Sequence, residues 1–316
     1  MQMIDKTDFH FPNQKSIHHG KVRDVYDLGD KLVFVTSDRY SAFDRVLALV
    51  PNKGQLLTSI SEWWFEQTKP IIGNHIISSA DPNATIVKKY KVVPIEMVVR
   101  GYITGVTNTS LWHNYTEGQR NFGDFTLPDG LRKNQKLPKP VFTPTTKYEE
   151  HDRPLTPAEA VSEGLVSQDV WSELQKVGLK LFEFGQKTAM EKGLILVDTK
   201  YEFGQDENGK LVLIDEIHTP DSSRYWLAET YKESIYAGQE PDNYDKEFMR
   251  LWFKERFDPY MDNEAPEPYP EIIEELRNRY IFIYEKLSGK KFEPANDTSD
   301  VLSRIETNVT KKLKEL

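Results

Sequence analysis

One stretch, Leu194 to Trp226 (LILVDTKYEFGQDENGKLVLIDEIHTPDSSRYW), constrains what the rest of the chain can fold into. Two apolar, β-branched runs flank Asn208-Gly209, the strongest short-range signal for a two-residue hairpin turn. With that pair as the turn, Glu207 faces Lys210 and Glu202 falls directly across from Asp215. Side chains alternate along a strand with period two, so Asp198, Lys200 and Glu202 share a face. Like charges opposed on a sheet are destabilising, and a hard cation with oxygen ligands is the natural compensation. A solvated acidic hairpin edge is the other outcome. Leu196, Val197, Val212 and Ile214 weigh against it, because they mark both strands as largely buried.

Composition narrows the function classes. A chain of 316 residues is long enough for a sizeable core and more than one lobe. Its formal net charge of -9 argues against a general nucleic-acid binder but leaves room for a local basic pocket that takes a phosphorylated small molecule. There is no cysteine, which excludes disulfides, thiolate metal ligands and a cysteine nucleophile. The start, MQMIDKTDFHFPNQK, lacks the apolar core of a signal peptide, and no apolar run approaches bilayer length. The expectation is a soluble, cytoplasmic protein with no membrane partner and an oligomeric state left open.

In chain order, residues 1–15 read as an irregular or short helical arm, and short strands follow from Ile17 with a turn at Leu28-Gly29-Asp30. Gly20-Lys21-Val22-Arg23 sets one glycine beside two cations, either a phosphate-covering loop or an ordinary strand entry. It has the spacing of neither a Walker loop nor a dinucleotide fingerprint. Thr36 to Asp44 (TSDRYSAFD), with Asp38 and Ser41, is a polar loop suited to binding or a locally capped turn. Leu57, Ile60 and Trp64 recur at helical spacing within Gly54–Lys69, and Pro70 stops that helix. Strands return at 75–80 and 84–100 and end in Arg100-Gly101, a cation where backbone can approach closely or a snorkelling side chain. Residues 114–147, punctuated by Gly118, Gly123, Gly130, Pro128, Pro138, Pro140 and Pro144, predict a long functional loop. Thr156-Pro157-Ala158-Glu159 is a capping box, and Ser167–Lys192 is a long helix that Gly193 ends. After the hairpin, Ser222, Ser223 and Arg224 form a cluster suited to phosphate or carboxylate. Packing helices are expected at Lys246–Phe257, Glu271–Leu287 and Val301–Leu316.

Taken together, the inventory is a glycine beside Lys21 and Arg23, two opposed carboxylates, a lysine on their face, and a Ser-Ser-Arg loop. Magnesium takes only one or two carboxylates and leaves other positions to phosphates, which suits Glu202 and Asp215. That combination describes a nucleotide-dependent phosphoryl-transfer site with a second anionic substrate.

The strings GKVRDVYDL, TSDRYSAFD, VVRGYITG, FTPTTK, VDTKYEFG and IDEIHTPDSSRYW occur in this order over roughly residues 17 to 230. Together they resemble the phosphoribosylaminoimidazole-succinocarboxamide synthases (SAICAR synthetases). The resemblance implies an α+β, two-lobed ATP-grasp/kinase-like architecture with the active site in the cleft. An antiparallel N-terminal ATP-binding lobe would span residues 1–110. A larger α+β lobe, residues 111–316, would carry the metal and substrate hairpin and the C-terminal packing helices. The activity implied joins L-aspartate to carboxyaminoimidazole ribotide (CAIR) with ATP through an acyl phosphate, in purine biosynthesis.

By the same resemblance Lys21 and Arg23 match the ATP-phosphate strand, Glu96 lies in the segment passing the adenosine, and Glu202 and Asp215 match magnesium carboxylates. Arg100, Lys200 and Arg224 match positions that contact the ribotide, with Lys200 steering the reacting carboxylate. Asp38 and Asp198 match acidic positions near the substrates, and Asp198 either positions or deprotonates the aspartate amine or forms a structural ion pair. Ser41, Lys147 and His151 are candidates for the aspartate pocket. Many members carry serine where this chain has Val106, so Thr107 or Ser110 would have to supply that hydroxyl. The competing classes are a non-catalytic nucleotide-binding module and a small-molecule kinase-like phosphotransferase, and for the latter a glycine-rich loop and an H-R-D loop would be expected. Neither string occurs.

Overall fold

The computed structural model describes residues 2–147, 153–295 and 300–316. In chain order the elements begin with β1 (Ser16–His19), β2 (Arg23–Asp27), β3 (Lys31–Thr36), β4 (Arg39–Ala42), β5 (Arg45–Leu49), α1 (Lys53–Thr68), β6 (Ile76–Asp81) and β7 (Ala84–Lys88). The middle of the chain forms β8 (Lys91–Val92), β9 (Ile95–Ile103), α2 (Leu111–Thr116), β10 (Gln135–Phe142), β11 (Thr145–Thr146), α3 (Pro157–Ser162), α4 (Gln168–Glu191), β12 (Leu194–Gln205), β13 (Leu211–Ile214), β14 (Ser223–Leu227) and α5 (Ala228–Ala237). It closes with α6 (Glu247–Lys254), α7 (Pro270–Ser288) and α8 (Val301–Glu315). The fold is α+β with antiparallel sheets.

The chain divides into two compact units, one of Met1–Glu66, His75–Lys89 and Tyr244–Leu316, the other of Gln67–Asn74 and Tyr90–Asn243. The sequence expectation is two continuous lobes, whereas these units interleave. The reason lies in the C-terminal helices. On α8, Val301, Ile305 and Val309 are buried with Tyr26, Val33, Val35 and Ile86 of the first sheet, order β1-β2-β3-β7-β6. On α6 and α7, Met249, Phe253, Leu276 and Tyr280 are buried with Tyr40, Val50, Leu56 and Leu57. Each such apolar side chain removed from water contributes about 1.5–3 kcal/mol.

In the second unit β12 is the central strand. One edge pairs first with β14 (Thr199↔Ser223) and then with β13 (Gln205↔Leu211). The other pairs with β9 (Lys200↔Val98) and then with β8 (Gly204↔Val92). Behind the sheet lies α4, capped by the Ser167 hydroxyl and ended at Gly193 with φ +77°. A Cβ on Gly101 would meet Gln186 Nε2 at 2.7 Å, and one on Gly185 would meet His218 Cε1 at 2.4 Å. The glycine after Arg100 therefore admits a helix to the back of the sheet, which leaves the arginine on the other face.

Two expectations change. Residues 114–147 are not all loop, since β10 pairs along β9 and β11 pairs Thr145↔Glu96. Pro138 and Pro140 hide the strand from a sequence reading, yet β10 is a sheet edge, where a missing N–H costs no ladder bond. The hairpin register also differs by one, because Glu202 pairs with Ile214 and not with Asp215. A two-residue type I′ turn needs positive φ at both central residues. Here Gly209 takes φ +79° and Asn208 is not left-handed. Asp206 Oδ1 accepts the N–H groups of Asn208 and Lys210, both at 2.9 Å, which closes a three-residue loop. Asp215 lies just past β13 at φ +66°, outside the strand alternation.

Candidate active site

The front face of the second sheet carries two ionic clusters, both anchored on β12. In the first, Lys200 Nζ donates to Glu202 Oε1 at 2.6 Å and to Glu96 Oε1 at 2.7 Å across to β9. Lys147, just past β11, reaches Glu202 Oε2 at 2.6 Å. Glu202 is buried, with side-chain exposure of 7%, so its charge needs both partners. Burial opposes its ionisation, yet Lys200 and Lys147 together hold the carboxyl below its ordinary value. For Glu96 the balance tips the other way: burial, with the Glu202 charge adding to it, raises the carboxyl despite Lys200. Burial works against the charge of both lysines, but Glu202 first and Asp215 further down hold each above its ordinary value. Asp215 therefore acts on the same two ammonium groups as Glu202, although the strands do not oppose them.

In the second cluster Asp198 lies between two arginines on neighbouring strands, Asp198↔Arg100 on β9 and Asp198↔Arg224 on β14. Its Oδ2 accepts from Arg224 Nη1 at 2.7 Å and from Arg100 Nη1 at 3.3 Å. Arg100 is fixed further by Thr143 Oγ1 at 2.7 Å and by the carbonyl of Thr109. Arg224 lies against Gly105, where a Cβ would come within 3.1 Å of Nη2. Gly105 has φ +102°, a conformation that glycine adopts without strain. Ser222 is half-buried beside Thr219, 3.3 Å between hydroxyls. Ser223 does not join this cluster, because its buried hydroxyl donates to Thr199 Oγ1 at 2.8 Å. Of the two hydroxyls near Val106, Ser110 is buried and accepts the His113 N–H as the α2 cap, while Thr107 is half-buried.

The other expected residues lie in the first unit. Lys21 is exposed in the turn between β1 and β2, closed by Gly20 N donating to Arg23 O at 2.8 Å, and it pairs with Asp44. Arg23 opens β2. The polar stretch expected as a loop instead holds the buried strand β4, which pairs with β5 and has Ser41 inside it. Asp38 accepts the N–H groups of Ile4 and Gly54 at 2.8 and 2.9 Å. Burial raises its carboxyl above the ordinary value despite those bonds. His151 lies outside the described residues.

Among the described residues no group of three or more metal-ligating side chains could hold a metal ion. Glu202 and Asp215, gathered around common lysines, make the two-carboxylate donor set that suits magnesium when phosphates complete its sphere. The part that sequence reasoning missed is Lys147 on the Glu202 carboxylate. The signal was the β-branched Thr145-Thr146 pair before it, a short strand whose register against Glu96 a sequence does not display.

The SAICAR synthetase family model matches residues 16–267. A phosphoribosylaminoimidazole-succinocarboxamide synthase of Legionella pneumophila (strain Paris) is 55% identical over 296 residues, 94% of this chain and 95% of the relative. The solved SAICAR synthase of Saccharomyces cerevisiae, complexed with SAICAR, superposes with a TM-score of 0.78 at 34% identity, covering 92% of this chain and 100% of that one. A SAICAR synthetase solved in complex with ADP has a TM-score of 0.68 at 29% identity, covering 88% of this chain and 100% of that one.

Proposed function

The chain belongs to the SAICAR synthetase family, and we propose from that premise how its own residues carry the reaction. The enzyme is an ATP-dependent ligase that joins L-aspartate to CAIR, giving SAICAR, ADP and phosphate in purine biosynthesis. The phosphotransferase alternative is not favoured. The observation that carries the residue assignment is the paired arrangement on one sheet face: Lys200 between Glu96 and Glu202, beside Asp198 between Arg100 and Arg224.

In this reading the CAIR carboxylate oxygen attacks the γ-phosphorus of ATP, the β–γ P–O bond breaks, and ADP leaves. The aspartate amine then attacks the acyl carbon, phosphate departs, and the nitrogen loses a proton as the amide forms. Lys200 and Lys147 neutralise negative charge as the phosphoryl group moves, since preorganised cations in a buried site act most strongly where charge develops. Glu202 and Asp215 would hold magnesium, which supplies further charge neutralisation on the phosphates when bound.

Arg224 and Arg100 take anionic groups of the ribotide, with Ser222 and Thr107 as the hydroxyl donors. Asp198 serves chiefly to hold the two arginines, a role supported by both guanidiniums meeting one of its oxygens. Lys21 and Arg23 take the nucleotide phosphates, Glu96 lies towards the adenosine, and Asp38 and Ser41 lie on the substrate side. In this reading the nucleotide-phosphate groups belong to residues 1–110 and the metal carboxylates to residues 111–316. The cytoplasm is the compartment in this reading; no helix among the described residues is long and apolar enough to cross a membrane.

The test is a coupled assay of ADP release. Release that requires both CAIR and aspartate, and is abolished by Glu202→Gln and by Asp215→Asn in folded protein, supports the assignment. Near-normal turnover in both variants would sink it.

A further inference from the structure

The back face of the same sheet holds a polar group that the proposed reaction does not use. His218 is fully buried midway along the segment that joins β13 to β14, with φ +49°. Its Nε2 lies 2.5 Å from the hydroxyl of Tyr201, and its carbonyl accepts the Tyr225 hydroxyl at 2.7 Å. Burial pushes the imidazole down to about 3, so the ring is neutral across the physiological range. Gly185 of α4 makes room for it, since a Cβ there would overlap the ring.

The neighbours of these residues give the arrangement its meaning. Tyr201 lies between Lys200 and Glu202 on β12 and turns to the opposite face, towards α4. Tyr225 follows Arg224 on β14. The segment that His218 anchors begins at Asp215 and ends at Ser222 to Arg224. A left-handed non-glycine residue is strained and persists only where its surroundings over-determine it. Here both tyrosines and α4 do so.

We propose that His218 is a positioning residue: with Tyr201 and Tyr225 it clasps the segment behind the sheet, and so sets Asp215 and Arg224 in front of it relative to Lys200 and Glu202. The inference rests on the ligand assignments proposed above. A misplacement of about 1 Å in a reacting constellation can cost on the order of 100-fold, so a buried clasp one residue behind three site groups is a sensitive point.

Two variants test it. Tyr225→Phe deletes one hydroxyl without changing shape, and His218→Gln keeps a polar side chain with a different reach. Each is expected to raise the KM for CAIR about tenfold and to speed amide hydrogen exchange across residues 216–224, with the melting temperature of the remainder retained. Unchanged KM and unchanged exchange in both single variants would overturn the proposal. So would an activity loss that only tracks the folded fraction. Exchange is read without substrate, so faster exchange in a protein that never consumes CAIR would condemn the ligand assignments and not the clasp.

Discussion

The two clusters on β12 are built from the same sheet face, yet they have opposite character. Around Lys200 two ammonium groups stand among three carboxylates, Glu96, Glu202 and Asp215, leaving one negative charge in excess. Around Asp198 two guanidiniums share one carboxylate, leaving one positive charge in excess. Asp198 and Glu202 belong to one strand with only Lys200 between them on that face. What differs is the partner strand at each level: β9 and β14 bring arginines to Asp198, while β9 and the segment after β11 bring Glu96 and Lys147 to Glu202. A strand face thus carries excess negative charge at one end and excess positive charge at the other through cross-strand register.

The largest expected effect would break the comparison at the negative end. Glu202→Gln or Asp215→Asn should lower kcat by about 100-fold or more, in line with loss of one preorganised electrostatic contact, and steady-state ADP release measures it. Arg224→Ala breaks the positive end and should raise the KM for CAIR by about 10- to 100-fold, as a charge-assisted contact of 1.5–3 kcal/mol implies, with the KM for ATP nearly unchanged. Equal effects on both substrates would erase the distinction between the clusters.

Asp198→Asn removes the buried carboxylate that Arg100 and Arg224 share. Removing one partner of a buried pair typically costs 3–5 kcal/mol, and urea unfolding reads the loss. The smallest effect sharpens the comparison within one cluster. Glu202 has a lowered carboxyl, so its stabilisation is present above the ordinary glutamate value and is lost as pH falls through the folded one. Glu96 has a raised carboxyl, so its contribution is full at low pH and is lost as pH rises through the folded value. From neutral pH into acid, the parent's stability advantage should therefore shrink over Glu202→Gln and grow over Glu96→Gln, as unfolding curves would show.

The helices were legible because their signals are local. The Thr156 capping box forms, with Glu159 reaching back to the Thr156 N–H, and Gly193 ends the long helix with positive φ. The turn at Leu28 to Lys31 closes as its Gly-Asp pair implies, with Leu28 N donating to Lys31 O at 3.0 Å. At the site, Asp198, Lys200 and Glu202 could be placed on one face, and Arg224 could be recognised as an anion group. Lys147 could not be paired with Glu202, nor Ser223 excluded, because each depends on which strand lies alongside.

Alternation with period two was in the chain itself: it put Asp198, Lys200 and Glu202 together whatever their neighbours turned out to be. The composition likewise ruled out cysteine chemistry. Only the tertiary structure decided what those three face. The Asp206 side chain closed a three-residue loop in place of a two-residue turn, which moved every hairpin pair by one. Asp215, itself left-handed and beyond the strand, then acts on Lys200 and Lys147 through its charge. The physical reason is range: alternation is set by bonds within one strand, whereas register is set by hydrogen bonds and charges brought together from β9, β13, β14 and the segment after β11.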